Sequence, residues 1–332
     1  MKKNLLLLFL LLTVSQLFAT IRRVNNNPGV TLVTNLVFSN FTAAQTAAVD
    51  GDTIYIEPSD INYGSMFFSR RLVVVGPGYL LNKNPNTPFD KRTARVSNVS
   101  FGTNSSGSKL IGIEVRTNNG NFFNISTSAA VTEINIEFCM FNELIGNSIF
   151  NNSVVSNCFL VGNISKSGLS INNSLINNNI ILGSVQTVGN DNIIKNNIIF
   201  GGADYASIYF NNIIYQNGTP ELSFNLNVNV YNNVCVGCNG TPANNNFFTT
   251  TPNTIFVVAE PRTFDDLEDD NFVLNASSPA KGKGVGGIDC GVFAGTKPYV
   301  LSGIPPFPMI TAFTQGAPSG GNIPITISIK RN

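Results

Sequence analysis

Three isolated charges, Lys166, Asp204 and Glu221, fall in a stretch of the chain that is otherwise poor in charge. A carboxylate pair can serve as acid and base or nucleophile in glycosidic cleavage, and a lysine can act as a base or charge clamp. A denser acidic run follows at Asp265, Asp266, Glu268, Asp269 and Asp270. Clustered carboxylates supply the oxygen ligands that Ca²⁺ takes, although this spacing matches no calcium-loop pattern and aspartate is also common at turns entering strands. The chain of 332 residues contains no histidine and no tryptophan. Ser-His-Asp and Cys-His nucleophiles, imidazole bases and His-containing zinc sites are therefore excluded, and the best ring for sugar stacking is missing. With 20 basic against 19 acidic residues, scattered rather than striped, the charge pattern also argues against a nucleic-acid partner.

The elements that must carry these residues are written as a repeat. Between Ile134 and Gly237 one phrase recurs: two apolar residues, a variable one, an Asn-Asn or Asn-Cys pair, two apolar residues, a variable one and usually Gly. Val154 to Gly162, Leu175 to Gly183, Ile193 to Gly201, Ile208 to Gln216 and Asn229 to Gly237 are the clear copies, with a degenerate one at Ile136 to Phe141. The markers Cys139, Cys158, Asn179, Asn197, Asn212 and Asn233 are 19, 21, 18, 15 and 21 residues apart. A period near twenty describes a solenoid, and Val/Ile-rich segments punctuated by Gly and Asn make its repeats strands. Proline cannot donate to a strand ladder, and none occurs between Pro88 and Pro220. Earlier coils are expected at Thr53 to Ile56, Leu72 to Val75 and Leu110 to Val115, later ones at Ile255 to Val258 and Phe272 to Leu274.

Aligning the loops behind the markers puts Lys166, Asp204 and Glu221 eight, seven and nine residues downstream of theirs. Asp204 and Glu221 then fall on adjacent coils, about 5 Å apart along the backbone. Solvated loop charges are the other reading of the same three residues. Asparagine fills 49 positions, and the column Asn157, Asn178, Asn196, Asn211 and Asn232 is expected both to turn the chain in the left-handed region and to bond amide to amide between coils. Past the marker, Leu160, Ile181, Ile199 and Ile214 are expected to face outward, under loops or as a flat binding strip. Cys139 and Cys158 share a column and either bridge or stand as stacked thiols; Cys235 closes a loop with Cys238 or pairs with Cys290.

Phe41 to Ser59, with Gly51-Asp52-Thr53-Ile54 at its centre, then Tyr63-Gly64 and Arg71 to Tyr79, resembles the opening of right-handed parallel β-helix proteins of the pectate-lyase-like superfamily. Asn271 to Ala280, with Gly282, Gly284, Gly287, Asp289 and Gly291, resembles their closing coil. The resemblance, over residues 40 to 300, implies an all-β right-handed parallel β-helix whose first coil is capped by an amphipathic helix near Phe41 to Val49. It implies little about activity, since the superfamily holds lyases, hydrolases, epimerases and non-catalytic surface proteins. Its lyases use aspartate-held calcium and an arginine base, yet no arginine occurs between Arg116 and Arg262. Its galacturonan hydrolases use a Gly-His-Gly motif that this chain cannot have.

Met1 to Ala19, with Lys2, Lys3 and an apolar run from Leu5, reads as a cleavable signal peptide, too short an apolar run for a membrane anchor. Residues 20 to 300 form the solenoid, and 301 to 332 a Pro-rich connector with an alternating terminal strand. The expected protein is secreted or on the cell surface and presents a long face to a polysaccharide or a cell-surface partner, with no integral membrane segment after cleavage. A lyase or hydrolase acting on an acidic polysaccharide, with Ca²⁺ as the one cofactor in view, is the alternative.

Overall fold

The computed structural model describes residues 19–82, 84, 87–164, 168–187, 189–203, 207–215, 229–239, 241–259, 261 and 267–331. Its described residues are almost entirely β, in large parallel sheets. Strands Thr53–Ile56, Val73–Val75, Lys109–Ile111, Asn135–Glu137, Val154–Ser156, Leu175–Asn177, Ile193–Lys195, Ile208–Phe210 and Val230–Tyr231 lie side by side in chain order in a first sheet of eleven strands. A second sheet of nine strands starts at Arg95–Val96, takes one segment after each of these from Val73–Val75 onward, and ends with Phe247–Thr249, which follows no strand of the first sheet. Each pass of the chain adds one strand to each sheet, with smaller parallel sheets between, which is consistent with a parallel β-helix.

The corner between the two sheets explains the asparagines, and it divides them differently from the sequence reading. Gly112, Phe138, Asn157, Asn178, Asn196, Asn211, Asn232 and Asn245 all have positive φ, between 51° and 69°. They make the sharp turn, which asparagine and aspartate tolerate better than most residues with a side chain. The amide ladder belongs to the next column, whose residues point inward. The Asn179 Nδ2 donates to Asn197 Oδ1 at 3.0 Å, Asn197 to Asn212 at 3.0 Å, Asn212 to Asn233 at 2.9 Å and Asn233 to Asn246 at 3.2 Å. Each Oδ1 also accepts the backbone N–H of the previous coil's ladder residue, at 2.9 Å from Cys158 through Asn233. Cys139 and Cys158 continue this column as free, buried thiols, so the alternative of two stacked thiols holds, whereas Cys235 and Cys238 form a disulfide. A second corner repeats the device: Glu133, Asn152, Asn173 and Asp191 turn with φ of 47–59°, and Ser153, Ser174 and Asn192 accept N–H groups from the coil before.

At the start of the chain, the helix Phe41–Ala47 is N-capped by Asn40, whose side chain accepts the Ala43 N–H at 2.9 Å. Phe41 meets Phe68 and Phe68 meets Phe101, with centroids 5.3 and 4.7 Å apart. The buried Gln45 amide bonds both Phe67 O and Ser69 N, fixing the helix to the strand Ser65–Phe68.

Two expectations are corrected, one along the second sheet and one beyond its last strand. Leu160, Ile181, Ile199 and Ile214 do not face outward; they lie in the interior with Val155, Ile176 and Ile194. Phe159, Ile180, Ile198 and Ile213 are the outward residues. The left-handed corner consumes one residue and inverts the alternation carried over from the first sheet. Ile255 to Val258 and Phe272 to Leu274 are not coils either. They belong to a strap, whose described residues between 252 and 304 form short 3₁₀ turns and an antiparallel bridge between Phe256 and Leu274, and which packs Phe256, Phe272, Val292 and Tyr299 on that outward apolar row. The stretch resembling a closing coil, Asn271 to Gly291, is therefore part of this cover. Past it, Met309–Gln315 and Ile325–Lys330 pair antiparallel, so the alternating tail is one arm of a hairpin.

Asn197→Ala removes an amide that makes five hydrogen bonds in the ladder. It should cost about 2–4 kcal/mol in chemical denaturation, because buried partners are left unsatisfied. At Gly183 an added Cβ would lie 2.5 Å from the Gly162 carbonyl, so Gly183→Ala should cost about 1–3 kcal/mol by the same assay.

Candidate ligand-binding face

The residue just before each left-handed corner ends a strand of the first sheet with its side chain outward. They are Ile111, Glu137, Ser156, Asn177, Lys195, Phe210 and Tyr231, and the strand registers continue the row back to Val75, Tyr55 and Arg23. From Glu137 to Tyr231 the row spans about 24 Å at the usual strand spacing. It passes from charged and polar groups to two rings, Phe210 and Tyr231, stacked with 3° between their planes and centroids 5.3 Å apart. The Lys195 ammonium lies 5.8 Å from the Phe210 centroid. Ser156 Oγ donates to Glu137 Oε1 at 3.4 Å. Asn177 donates to Asn178 Oδ1, while its own buried Oδ1 has no partner.

The strap makes this row a trough. Ile288, Gly295, Thr296 and Lys297 form one wall of a cavity of about 390 Å³ whose floor is the middle of the row. The wall is held by the corner asparagines themselves. Asn178 Nδ2 donates to Val292 O and Ala294 O at 2.7 and 2.8 Å, Asn196 Nδ2 donates to Ala294 O at 2.8 Å, and Asn211 Oδ1 accepts the Val285 N–H at 2.8 Å. Stacked rings flanked by ammonium groups and neutral amides suit a polyhydroxylated ligand that offers both ring faces and hydrogen-bonding groups.

Of the residues singled out from the sequence, Lys166, Asp204, Glu221, Asp265 and Asp266 lie outside the described residues. Asp269 is in the core of the strap, where its Oδ2 accepts the Ser302 N–H at 2.5 Å and the Tyr299 hydroxyl at 3.2 Å, and Tyr299 meets Tyr79 at 2.5 Å. Asp270 is partly buried beside it, and Glu268 caps the same 3₁₀ turn. Among the described residues no three Asp, Glu, Cys or His side chains group as a metal site. The strip Glu137 to Tyr231 is hidden in the sequence because each of its members is the variable residue of the repeat, two positions before the marker. Reading that one position down the coils, instead of averaging it out of the repeat, would have found it.

No protein-family model matches the chain, and no curated protein and no solved structure matches it. No helix among the described residues is long and apolar enough to cross a membrane.

Asp269 ties the wall of the trough to Tyr79 of an early coil. Burial pushes its carboxyl up to about 6, against the pull of the Ser302 N–H and the Tyr299 hydroxyl. The folded protein then holds a proton that the unfolded chain releases near pH 4, so this group's contribution to stability falls as pH rises from about 4 to 6. Relative to Asp269→Asn, whose amide oxygen still accepts both bonds, the wild type should lose about 2–3 kcal/mol across that window. Urea midpoints at closely spaced pH values will give the difference.

Proposed function

We propose that the chain is an exported right-handed parallel β-helix of the pectate-lyase-like superfamily, secreted or held at the cell surface, that binds a polysaccharide without cleaving it. The helix Phe41–Ala47 closes its first coil, and the ligand lies along the coils on the row from Glu137 to Tyr231. The observation that carries this reading is the stack of Phe210 on Tyr231 in line with Lys195, Asn177 and Glu137 on one face of a parallel sheet. Parallel strands set equivalent side chains at a constant interval, which suits a polymer that also repeats along one axis. Two stacked rings give the sugar plane a platform, and Lys195 with Lys297 answers carboxylates on the chain.

Purified protein run in gels that contain neutral or uronate-bearing polysaccharides should be retarded by at least one of them. The double variant Phe210→Ala/Tyr231→Ala should lose about tenfold or more of that affinity with an unchanged melting transition, since both rings are on the outer face. Lys195→Ala should weaken uronate-bearing ligands selectively. Release of unsaturated uronyl product or of new reducing ends would replace this reading with an enzymatic one. Absence of retardation on every polysaccharide would remove it.

A further inference from the structure

The hairpin Met309–Gln315 with Ile325–Lys330 stands against the early end of the outward row, and a cavity of about 620 Å³ lies between them. Tyr55 and Glu57 line it from the first sheet, Phe89 and Asp90 from the connection between Val73–Val75 and Arg95–Val96, and Phe307 and Phe313 from the hairpin and the segment leading into it. The Phe89 N–H donates to Ile310 O at 2.8 Å, and the Phe89 and Phe313 rings meet with centroids 6.1 Å apart. Phe89, Phe307 and Phe313 are 58%, 44% and 39% exposed, so much of each ring remains open.

Two carboxylates and no lysine or arginine line this cavity. Arg23 bridges Glu57 and Arg92 bridges Asp90, but Arg23 is itself half exposed and takes only one of the two Glu57 oxygens. The field that remains is negative. Burial and then the Glu57 carboxylate push the Tyr55 hydroxyl up to about 12, Arg23 lowers it by less than Glu57 raises it, and Asp90 raises it further. The cations that follow the hairpin do not supply the missing charge: Lys330 lies on the face away from Ile329, and Arg331 donates to Pro306 O at 3.3 Å.

We propose that this cavity is a binding site for a small organic cation, an alkylated ammonium group on an apolar body. Its volume is that of a small-molecule site, apolar over most of its walls with a few polar groups converging on it. The faces of aromatic rings attract a cation, and most strongly one that sheds its water easily. A primary ammonium brings three N–H donors, which walls built largely of rings and prolines leave without acceptors. An alkylated ammonium brings fewer or none, and is held by ring faces and by the Glu57 oxygen that Arg23 leaves open. Uronates are repelled by the same carboxylates. The cavity shares no lining residue with the Glu137 to Tyr231 trough, so the inference is independent of the polysaccharide reading.

The test titrates benzyltrimethylammonium into the full chain by calorimetry, with neutral benzyl alcohol and anionic benzenesulfonate as controls that carry the same ring. The cation should bind about tenfold or more tightly than either control. Glu57→Gln, whose amide oxygen still accepts from Arg23, should lower the affinity for the cation about tenfold and leave that for benzyl alcohol unchanged. Phe89→Leu/Phe307→Leu keeps the walls apolar and should weaken the cation by a similar factor. Equal affinity for the three probes, no binding of the cation, or binding of the cation indifferent to Glu57→Gln would each overturn the proposal. Should the leucine variant melt early, Glu57→Gln decides alone.

Discussion

The corner between the two long sheets is the constraint from which the rest follows. A chain that leaves one parallel sheet and enters another within two residues must put one of them in the left-handed region and bury the next where no water can reach its backbone. Asparagine answers both demands in different columns. The first, from Asn157 to Asn245, accepts positive φ, and the second, from Asn179 to Asn246, spends every polar atom of its amide on the coils above and below. The amide ladder runs along the axis, so each coil fixes the register of its neighbour at a polar point inside an otherwise apolar interior.

That geometry also decides what can be presented outside. The corner residue must be left-handed, the residue after it must be buried and polar, and the strand residue three before the ladder must be apolar to fill the interior, as Val155, Ile176, Ile194, Tyr209 and Val230 do. The residue between, at the strand end, is outward and free of these demands. It is Glu, Ser, Asn, Lys, Phe and Tyr on six successive coils. The corner asparagines have side chains left over, and these hold the strap at 292 to 294 and 285, so the same column that turns the chain raises the wall beside the row it exposes.

The sequence discloses the period, the strand character, the short N-terminal helix and the Asn columns, because each is written in residue types that repeat locally. Phe41–Ala47 and Thr53–Ile56 lie where the patterns place them. What stayed hidden depends on contacts remote in sequence. Alternation alone cannot tell that a left-handed residue shifts the phase by one, and so Leu160 and Ile181 were assigned to the surface while Phe159 and Ile180 hold that place. The apolar words at 255 to 258 and 272 to 274 are as strand-like as those of a coil, but they meet the outside of the second sheet instead of extending it. Lys166, Asp204 and Glu221 lie outside the described residues, and the steps between markers vary from 15 to 21 residues, so an alignment by column loses its meaning between them.

The absence of histidine and tryptophan narrows chemistry without dictating architecture, and the two facts bear on each other along the exposed row. A catalytic centre needs groups whose protonation is set by burial and by neighbours. Of the strongly shifted groups, Asp269, Tyr79, Tyr299 and Cys158 are enclosed in the strap contact or in the interior, while Tyr55, pushed up to about 12, lies on the early part of the outward row; burial is the leading cause of each shift. On the outward row the chemistry is of another kind: two stacked rings, a lysine beside them, amides, a hydroxyl and one carboxylate, spread over six strands rather than converging on a point. Groups that converge suit a bond to be broken, and groups spaced evenly along an axis suit a chain to be held.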